Sequence, residues 1–360
     1  MNEKLTISRA ANSDQPSWDQ YVLKHPKGLA YQLSAWSRAV EEAYRFKSFC
    51  LLAKSGGRIQ GVFPLIQWQL PFFARELVSL PFCDAGGPLA DNPGTELSLL
   101  KHAIEVTGFT RSTKLAVRSA YPFADLNPDL TINHQKVRMI LILPNDSDKL
   151  LASLKAKVRS QIKKACKNGL SSVIGSVSLL DDFYTVFSEN MRDLGSPVHS
   201  KKWIYAILKA YGNRAHISVV YMPDGQPAAA GIILCHPKLV SIPWASSLRR
   251  FNTSNPNMLL YWTFLKFASD NQYPAFDFGR STPEEGTFRF KKQWGAKPHC
   301  LHWADFNSSF HQTIRHQQPV VVPQTSGNGK LRSIAEAVIQ KMPVSVFIAF
   351  GNITRKYVTL

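Results

Sequence analysis

Trp36, Ala39 and Ala43 are spaced so that they fall on adjacent turns of one helix face, and Trp203, Ala206 and Ala210 repeat the pattern later in the chain, followed by Tyr44 and Tyr211 respectively. The period then shortens. In LLAKSGGRIQGVF (51–63) and VVYMPDGQPAAAGII (219–233) apolar runs flank a glycine turn, which predicts two β-hairpins. LVSLPF (77–82) and LVSIPW (239–244) follow as strands, Asn92-Pro93 and Asn255-Pro256 can cap and start helices, and Arg118-Ser119 and Arg280-Ser281 close two further strands. The landmarks keep their order and a near-constant offset, with one length change inside the hairpin. The pattern predicts an α/β (α+β) chain made of two tandem copies of one module.

Each copy runs helix, hairpin, strand, helix, strand, an order that resembles the GNAT fold of acyltransferases. Residues 1–145 are assigned to the first GNAT-like domain and 171–308 to the second. Between them, 146–170 read as a basic linker helix. Leu150, Leu154, Val158, Ile162 and Cys166 form an apolar stripe and Lys155, Arg159, Lys163 and Lys167 a cationic one, with Gly169 as the stop. That cationic stripe is either a solvated face or a binding surface for nucleic acid or another phosphate-bearing partner; the uncompensated repulsion along it keeps the second reading open. From 309 to 360 a His/Gln/Pro/Gly/Ser-rich linker leads to a helical tail whose apolar run, Val344 to Phe350, suits docking on the body or on an anionic membrane surface. A chain ending near residue 308 would on this reading still fold.

Composition narrows the function classes. The 360 residues carry 43 Lys and Arg against 25 Asp and Glu, a net charge of +18, which favours polyanionic partners without identifying one. Met1 to Ala10 form no apolar leader, and no segment reaches the roughly 18 uninterrupted apolar residues of a spanning helix. A cytoplasmic protein, peripheral on the inner membrane at most, is expected. Cys50, Cys83, Cys166, Cys235 and Cys300 lie too far apart for a metal or redox pair and are expected to be reduced thiols. No bound metal or cofactor is expected, and oligomeric state is not legible.

Nucleophile elbow, Walker loop, dinucleotide fingerprint and zinc-ligand pair are all missing from the sequence. The densest chemistry is FDFGRSTPEEGTFRFKKQWGAKP (276–298). There Arg280 and Ser281 emerge at a strand end, where open α/β sheets place ligand groups. Thr287 can cap a short turn whose aromatics Phe288, Phe290 and Trp294 would hold Arg289, Lys291 and Lys292 together as an anion-binding patch. Asp277 is the candidate base, although inside its strand it is equally a structural hydrogen-bond partner. Trp36, Trp244 and Asn257 complete the substrate-binding candidates.

The string FDFGRS…GT.RFKKQWG, with YQLSAW (31–36), KKACKNGL (163–170) and LVSIPWASS (239–247), resembles the FemAB family, especially its branch associated with exopolysaccharide and exosortase loci. The resemblance implies two GNAT-like domains, with aminoacyl-tRNA as donor and an amine of a cell-envelope or polysaccharide precursor as acceptor. It also puts Lys291 at the position of the lysine implicated in transfer, as the cation that would stabilise an oxyanion. One departure matters: acyl-CoA enzymes of the GNAT fold hold pyrophosphate on a Gly-rich turn, whereas LRRFNTSNPNM (248–258) has no glycine. Two other functions stay open: an acyl-CoA-dependent N-acyltransferase in polysaccharide biosynthesis, and a non-catalytic basic scaffold on polyanions or a membrane surface.

Overall fold

A computed structural model describes residues 4–69, 75–123, 136–307 and 329–358. The first half runs β1 (Thr6–Arg9), α1 (Gln15–Lys24), α2 (Ser34–Tyr44), β2 (Lys47–Ser48), β3 (Leu51–Ser55), β4 (Arg58–Phe63), β5 (Ile66–Gln69), β6 (Arg75–Val78), β7 (Leu89–Ala90), α3 (Pro93–Thr110), β8 (Lys114–Ser119) and β9 (Val137–Ile142). The second runs α4 (Ser147–Ser153), α5 (Ala156–Lys167), β10 (Ser171–Gly175), α6 (Leu180–Asp193), α7 (Lys201–Tyr211), β11 (Ala215–Tyr221), β12 (Pro227–His236), β13 (Leu239–Ser247), α8 (Pro256–Asp270), β14 (Ala275–Ser281), α9 (Gly286–Gln293), β15 (Lys297–Cys300) and β16 (His302–Asn307). α10 (Gly329–Gln340) and α11 (Val344–Thr354) form the tail.

The repeated landmarks fall on equivalent elements. β3 and β4 turn at Gly56 and Gly57, and β11 and β12 at Gly225, all with the positive φ that glycine tolerates. Asn92 caps α3, its Oδ1 accepting the Thr95 amide at 2.9 Å. Asn255 precedes α8 in the left-handed conformation instead and makes no side-chain cap, because the 3-10 turn Arg249–Ser254 leads into it. β6 pairs parallel to β8 and β13 parallel to β14, so both halves have the mixed α/β order of a GNAT-like domain.

The sheets do not part where the repeat does. β9 inserts between β14 and β15 in a seven-stranded sheet, order β10-β11-β12-β13-β14-β9-β15. β16 returns to pair with β8 in the five-stranded sheet β16-β8-β6-β5-β2, beside a four-stranded sheet β1-β3-β4-β7. Each half is therefore completed by a strand from beyond its expected limit. α2 and α7 pack on each other, and one apolar cluster containing Trp36, Val40, Trp203 and Ile207 spans both halves.

The stretch read as one linker helix is two. Leu154 and Lys155 are extended, with ψ near 150° and 144°, and Arg159 Nη1 donates to the carbonyls of Ala152 and Leu154 that the break leaves open. Leu150, Leu154, Val158 and Ile162 are buried, and α4 and α5 both pack on α8. Cys166 is exposed and Ala165 takes its place. A strict spacing of four gains about 40° per step on a helix of 3.6 residues per turn, so the stripe drifts off the buried face.

The tail docks on the body. Phe347 is fully buried in the shared cluster, Gly351 lies so close to Val198 that a side chain would clash with its backbone, and Trp68 Nε1 donates to the Lys356 carbonyl at 2.6 Å. The linker expected over 309–328 lies outside the described residues. No helix among the described residues is long and apolar enough to cross a membrane.

Candidate functional site

β13 and β14 pair at Val240–Phe276 and Ser241–Asp277, after which the ladder ends and β14 bulges between Asp277 and Arg280. Gly279 takes up the kink at φ 74°. Two buried groups of opposite charge pin it. Asp277 Oδ1 accepts the Gly279 amide at 2.9 Å, and Lys291 Nζ donates to the Gly279 and Arg280 carbonyls at 3.0 and 2.7 Å. Burial pushes the Lys291 ammonium down to about 8, against the opposing pull of Asp277 and Asp84. It also raises the Asp277 carboxyl, with Arg138, whose Nε lies 3.6 Å away, as the main counterweight.

The kink aims Arg280 at the seam between the halves. Asp84 meets it there: Asp84 Oδ2 accepts the Arg280 amide at 3.2 Å, and Oδ1 lies 3.5 Å from Arg280 Nε. Trp303 of β16 donates Nε1–H to the Asp84 carbonyl, and the guanidinium groups of Arg118 and Arg280 lie 5.3 and 5.2 Å from its ring centroid. The two arginines matched by the repeat thus share one aromatic ring.

Asp84 also borders a cavity of about 130 Å3 that draws its walls from three parts of the chain. Tyr31, Phe82 and Cys83 come from the first half, Phe187, Met191, His199, Pro243 and Trp244 from the second, and Arg355 from the tail. Phe82 holds φ at 65°, a left-handed conformation that costs a bulky side chain on the order of 1–3 kcal/mol and that the surrounding packing must enforce. His199 is buried, its Nδ1 2.7 Å from the Tyr44 hydroxyl, and desolvation holds its ring well below the ordinary imidazole range, so it is neutral. Arg355 is lowered to about 10 by burial, despite the nearby Tyr44, with Arg118 and Arg280 acting in the same direction as burial.

Of the residues expected from sequence, the structure gathers Lys291, Asp277 and Arg280 around the β14 kink and places Trp244 in the cavity wall. Ser281 is buried beside them with its Oγ unpartnered. The expected cation patch does not form. Arg289 and Lys292 are exposed on the outer side of α9, Lys292 lying over the Phe288 ring, while Lys291 points inward. Thr287 lies within α9 rather than capping it; Glu285 holds the N-cap position. Trp36 is fully buried, donates Nε1–H to the Pro81 carbonyl and supports the cavity from behind, stacking on Trp244 and meeting Tyr31 edge-on. Asn257 is half-buried in the first turn of α8 and does not line the cavity. Lys155, Arg159, Lys163 and Lys167 are exposed on α4–α5, at a separate surface.

The structure also brings Asp84, Arg118, Arg138, His199 and Arg355 to this region, beyond the candidates that the sequence offers. Arg118 had its signal, since the repeat already matched it to Arg280. Asp84 follows LVSLPF directly and so shares the strand-end position of chemistry-bearing residues. Arg355 sits beyond a low-complexity stretch, where no local pattern reports that the chain folds back.

A family model described as an acetyltransferase (GNAT) domain matches residues 152–292. No curated protein matches the chain. Among solved structures it is similar to FemX, at 15% identity and a TM-score of 0.64 over 86% of this chain and 100% of that one. A tandem GNAT protein from the clavulanic acid biosynthesis pathway superposes with 14% identity and a TM-score of 0.53, over 85% and 99% of the two chains. L-PGS from Bacillus licheniformis does so with 10% identity and a TM-score of 0.56, over 93% and 99%. The chain has a FemAB-like double GNAT fold.

Proposed function

We propose that this chain is a transferase that forms an amide bond, moving an aminoacyl or acyl group onto an amine of a cell-envelope or exopolysaccharide precursor. The observation that carries the reading is the opened parallel pair β13–β14, inside the GNAT match, with Asp84, Arg280 and Lys291 gathered at its mouth. The acceptor amine attacks the carbonyl carbon of an activated ester; a C–N bond forms, the oxygen becomes an oxyanion, and collapse expels the donor's alcohol or thiol. Asp84, on the cavity wall and paired with Arg280, is the base on this reading: it takes the proton the amine must lose and passes it to the leaving oxygen or sulfur. Arg280 and the one Lys291 N–H not committed to a carbonyl are the cationic donors for the oxyanion.

Aminoacyl-tRNA is the favoured donor. The turn before α8, where acyl-CoA enzymes of this fold present bare backbone to pyrophosphate, is here a 3-10 turn with no glycine, ending at left-handed Asn255. An acyl-CoA donor is the second reading, supported by the GNAT match itself. The test offers the purified chain a charged tRNA or acetyl-CoA with an amine-bearing envelope precursor and follows the new amide by mass spectrometry. Transfer from tRNA with no saturable acetyl-CoA binding is expected. Saturable acetyl-CoA binding with turnover moves the assignment to the second reading, and no transfer from either donor returns the chain to the scaffold class.

A further inference from the structure

We propose that Arg355, carried back from the C-terminal tail, is a binding residue for an oxyanionic group of a small ligand in the cavity between Phe82 and Trp244. The inference rests on taking that cavity as the substrate site. Arg355 is 8% exposed. Its guanidinium lies 5.6 Å from the Phe82 ring centroid, one Nη donates to the Val358 carbonyl, and its Nε is buried without a partner. A buried guanidinium with an unspent donor is unfavourable unless an anion completes it. Charge around it sharpens the point: Arg118 and Arg280 are near enough to repel it, the neutral His199 gives no compensation, and Asp84 is already engaged by Arg280. Three arginines, one from each half and one from the tail, thus lie within electrostatic reach of one another, and Arg355 is the one that lines the cavity.

Size and walls narrow the ligand. About 130 Å3 is the share of roughly four liquid waters, enough for a carboxylate or phosphate with a few attached carbons and too little for a nucleotide. Tyr31, Phe82, Phe187 and Trp244, with Met191 and Pro243, make most of the remaining wall apolar, which suits a short apolar stem behind the charged end. Since α11 is anchored by Phe347 and by Trp68 on the Lys356 carbonyl, the tail presents Arg355 from a docked element.

The test uses the full chain and two probes, butyrate for a carboxylate and inorganic phosphate for a phosphate, titrated by calorimetry into the native protein, Arg355→Met and Arg355→Lys. Saturable binding of one probe is expected, weakened by about 10- to 100-fold in Arg355→Met as suits loss of a charged hydrogen bond, and partly restored in Arg355→Lys. Which probe binds identifies the anion's source. Without ligand, Arg355→Met should melt at the same temperature as the native chain or higher, because an unpaired buried charge has gone. Binding of neither probe, equal affinity in Arg355→Met, or a lower ligand-free melting temperature with unchanged affinity overturns the proposal. Anion binding through Arg355 without amide transfer would leave this site standing and remove the transferase reading; transfer with Arg355-independent anion binding would do the reverse.

Discussion

Trp36 and Trp203, equivalent positions in the two halves, meet edge to face with ring centroids 5.3 Å apart. Trp244 stacks on the first at 6.0 Å and meets the second edge-on at 6.4 Å. One wall of the cavity therefore rests on the contact that joins the halves, and packing there is inseparable from the shape of the site.

Trp203→Ala should cost about 3–5 kcal/mol, as expected for emptying a fully buried aromatic site. Trp36→Ala should cost a similar amount, and the double variant less than the sum, because the two rings contact each other. Equilibrium denaturation followed by both far-ultraviolet circular dichroism and fluorescence checks this. One shared transition is expected, and two separate transitions would show that the seam does not couple the halves.

Lys291→Ala should lower turnover by on the order of 100-fold with little change in KM, since an oxyanion contact is made chiefly in the transition state. The pH profile gives an independent check. With its ionisation pushed down to about 8, Lys291 is an ammonium at neutral pH and loses its charge as pH rises through that value, so activity depending on it should fall on the alkaline side. Full activity in Lys291→Ala would confine the residue to holding the β14 kink.

Acid should destabilise the fold through His199. Its folded-state ionisation is depressed, while an unfolded histidine titrates near 6.5. Below about pH 6.5 the unfolded chain binds a proton the folded one resists, so stability is full above that pH and falls as pH drops. Thermal unfolding of His199→Gln between neutral and mildly acidic pH should show a slope shallower by up to about 1.4 kcal/mol per pH unit. His25 and His236, also depressed by burial, leave a residual slope in that variant.

Removing the tail should not be silent. A chain ending near residue 308 keeps every described strand of both halves but uncovers the site of Phe347, whose burial contributes about 1.5–3 kcal/mol, and strips Arg355 from the cavity. A lower melting temperature with retained β-sheet signal is expected, in keeping with the expectation that the shortened chain still folds. An unchanged melting temperature would mean that the docked tail contributes nothing to stability.

The exposed cations of α4–α5 make a separate test of polyanion binding. Replacing Lys155, Lys163 and Lys167 by Gln should flatten the salt dependence of tRNA affinity by up to about 2–3 in log–log slope. Arg159 is best left in place, because its guanidinium closes the carbonyls at the α4–α5 break. An unchanged slope in fluorescence anisotropy would assign the stripe to a solvated face.

The sequence was informative where local period and order decide structure. Helix faces at Trp36 and Trp203, both glycine hairpins, the Asn-Pro helix starts and the Arg-Ser strand ends could all be read from short stretches, and so could the GNAT-like order they spell. What could not be read depends on contacts distant along the chain. Lys291 and Lys292 are neighbours in sequence, and one is buried on carbonyls while the other is exposed; α9's rotation against β14 decides which. Asp84 acquires its role from Arg280 and Trp303 in the other half of the chain. Arg355 acquires its role by returning across a stretch without pattern.

The crossing of β9 and β16 between sheets has a practical meaning for anyone who would take the molecule apart. Cutting at the repeat boundary would hand each fragment a raw sheet edge and a missing neighbour, the condition that favours swapped dimers and aggregates over two working modules. Shuffling one half for a homologous one would face the same obstacle, because the incoming piece must bring a strand that fits its host's ladder. On the proposed reading of the seam cavity as the substrate site, preference is thus more readily retuned by point changes there than by exchanging whole halves.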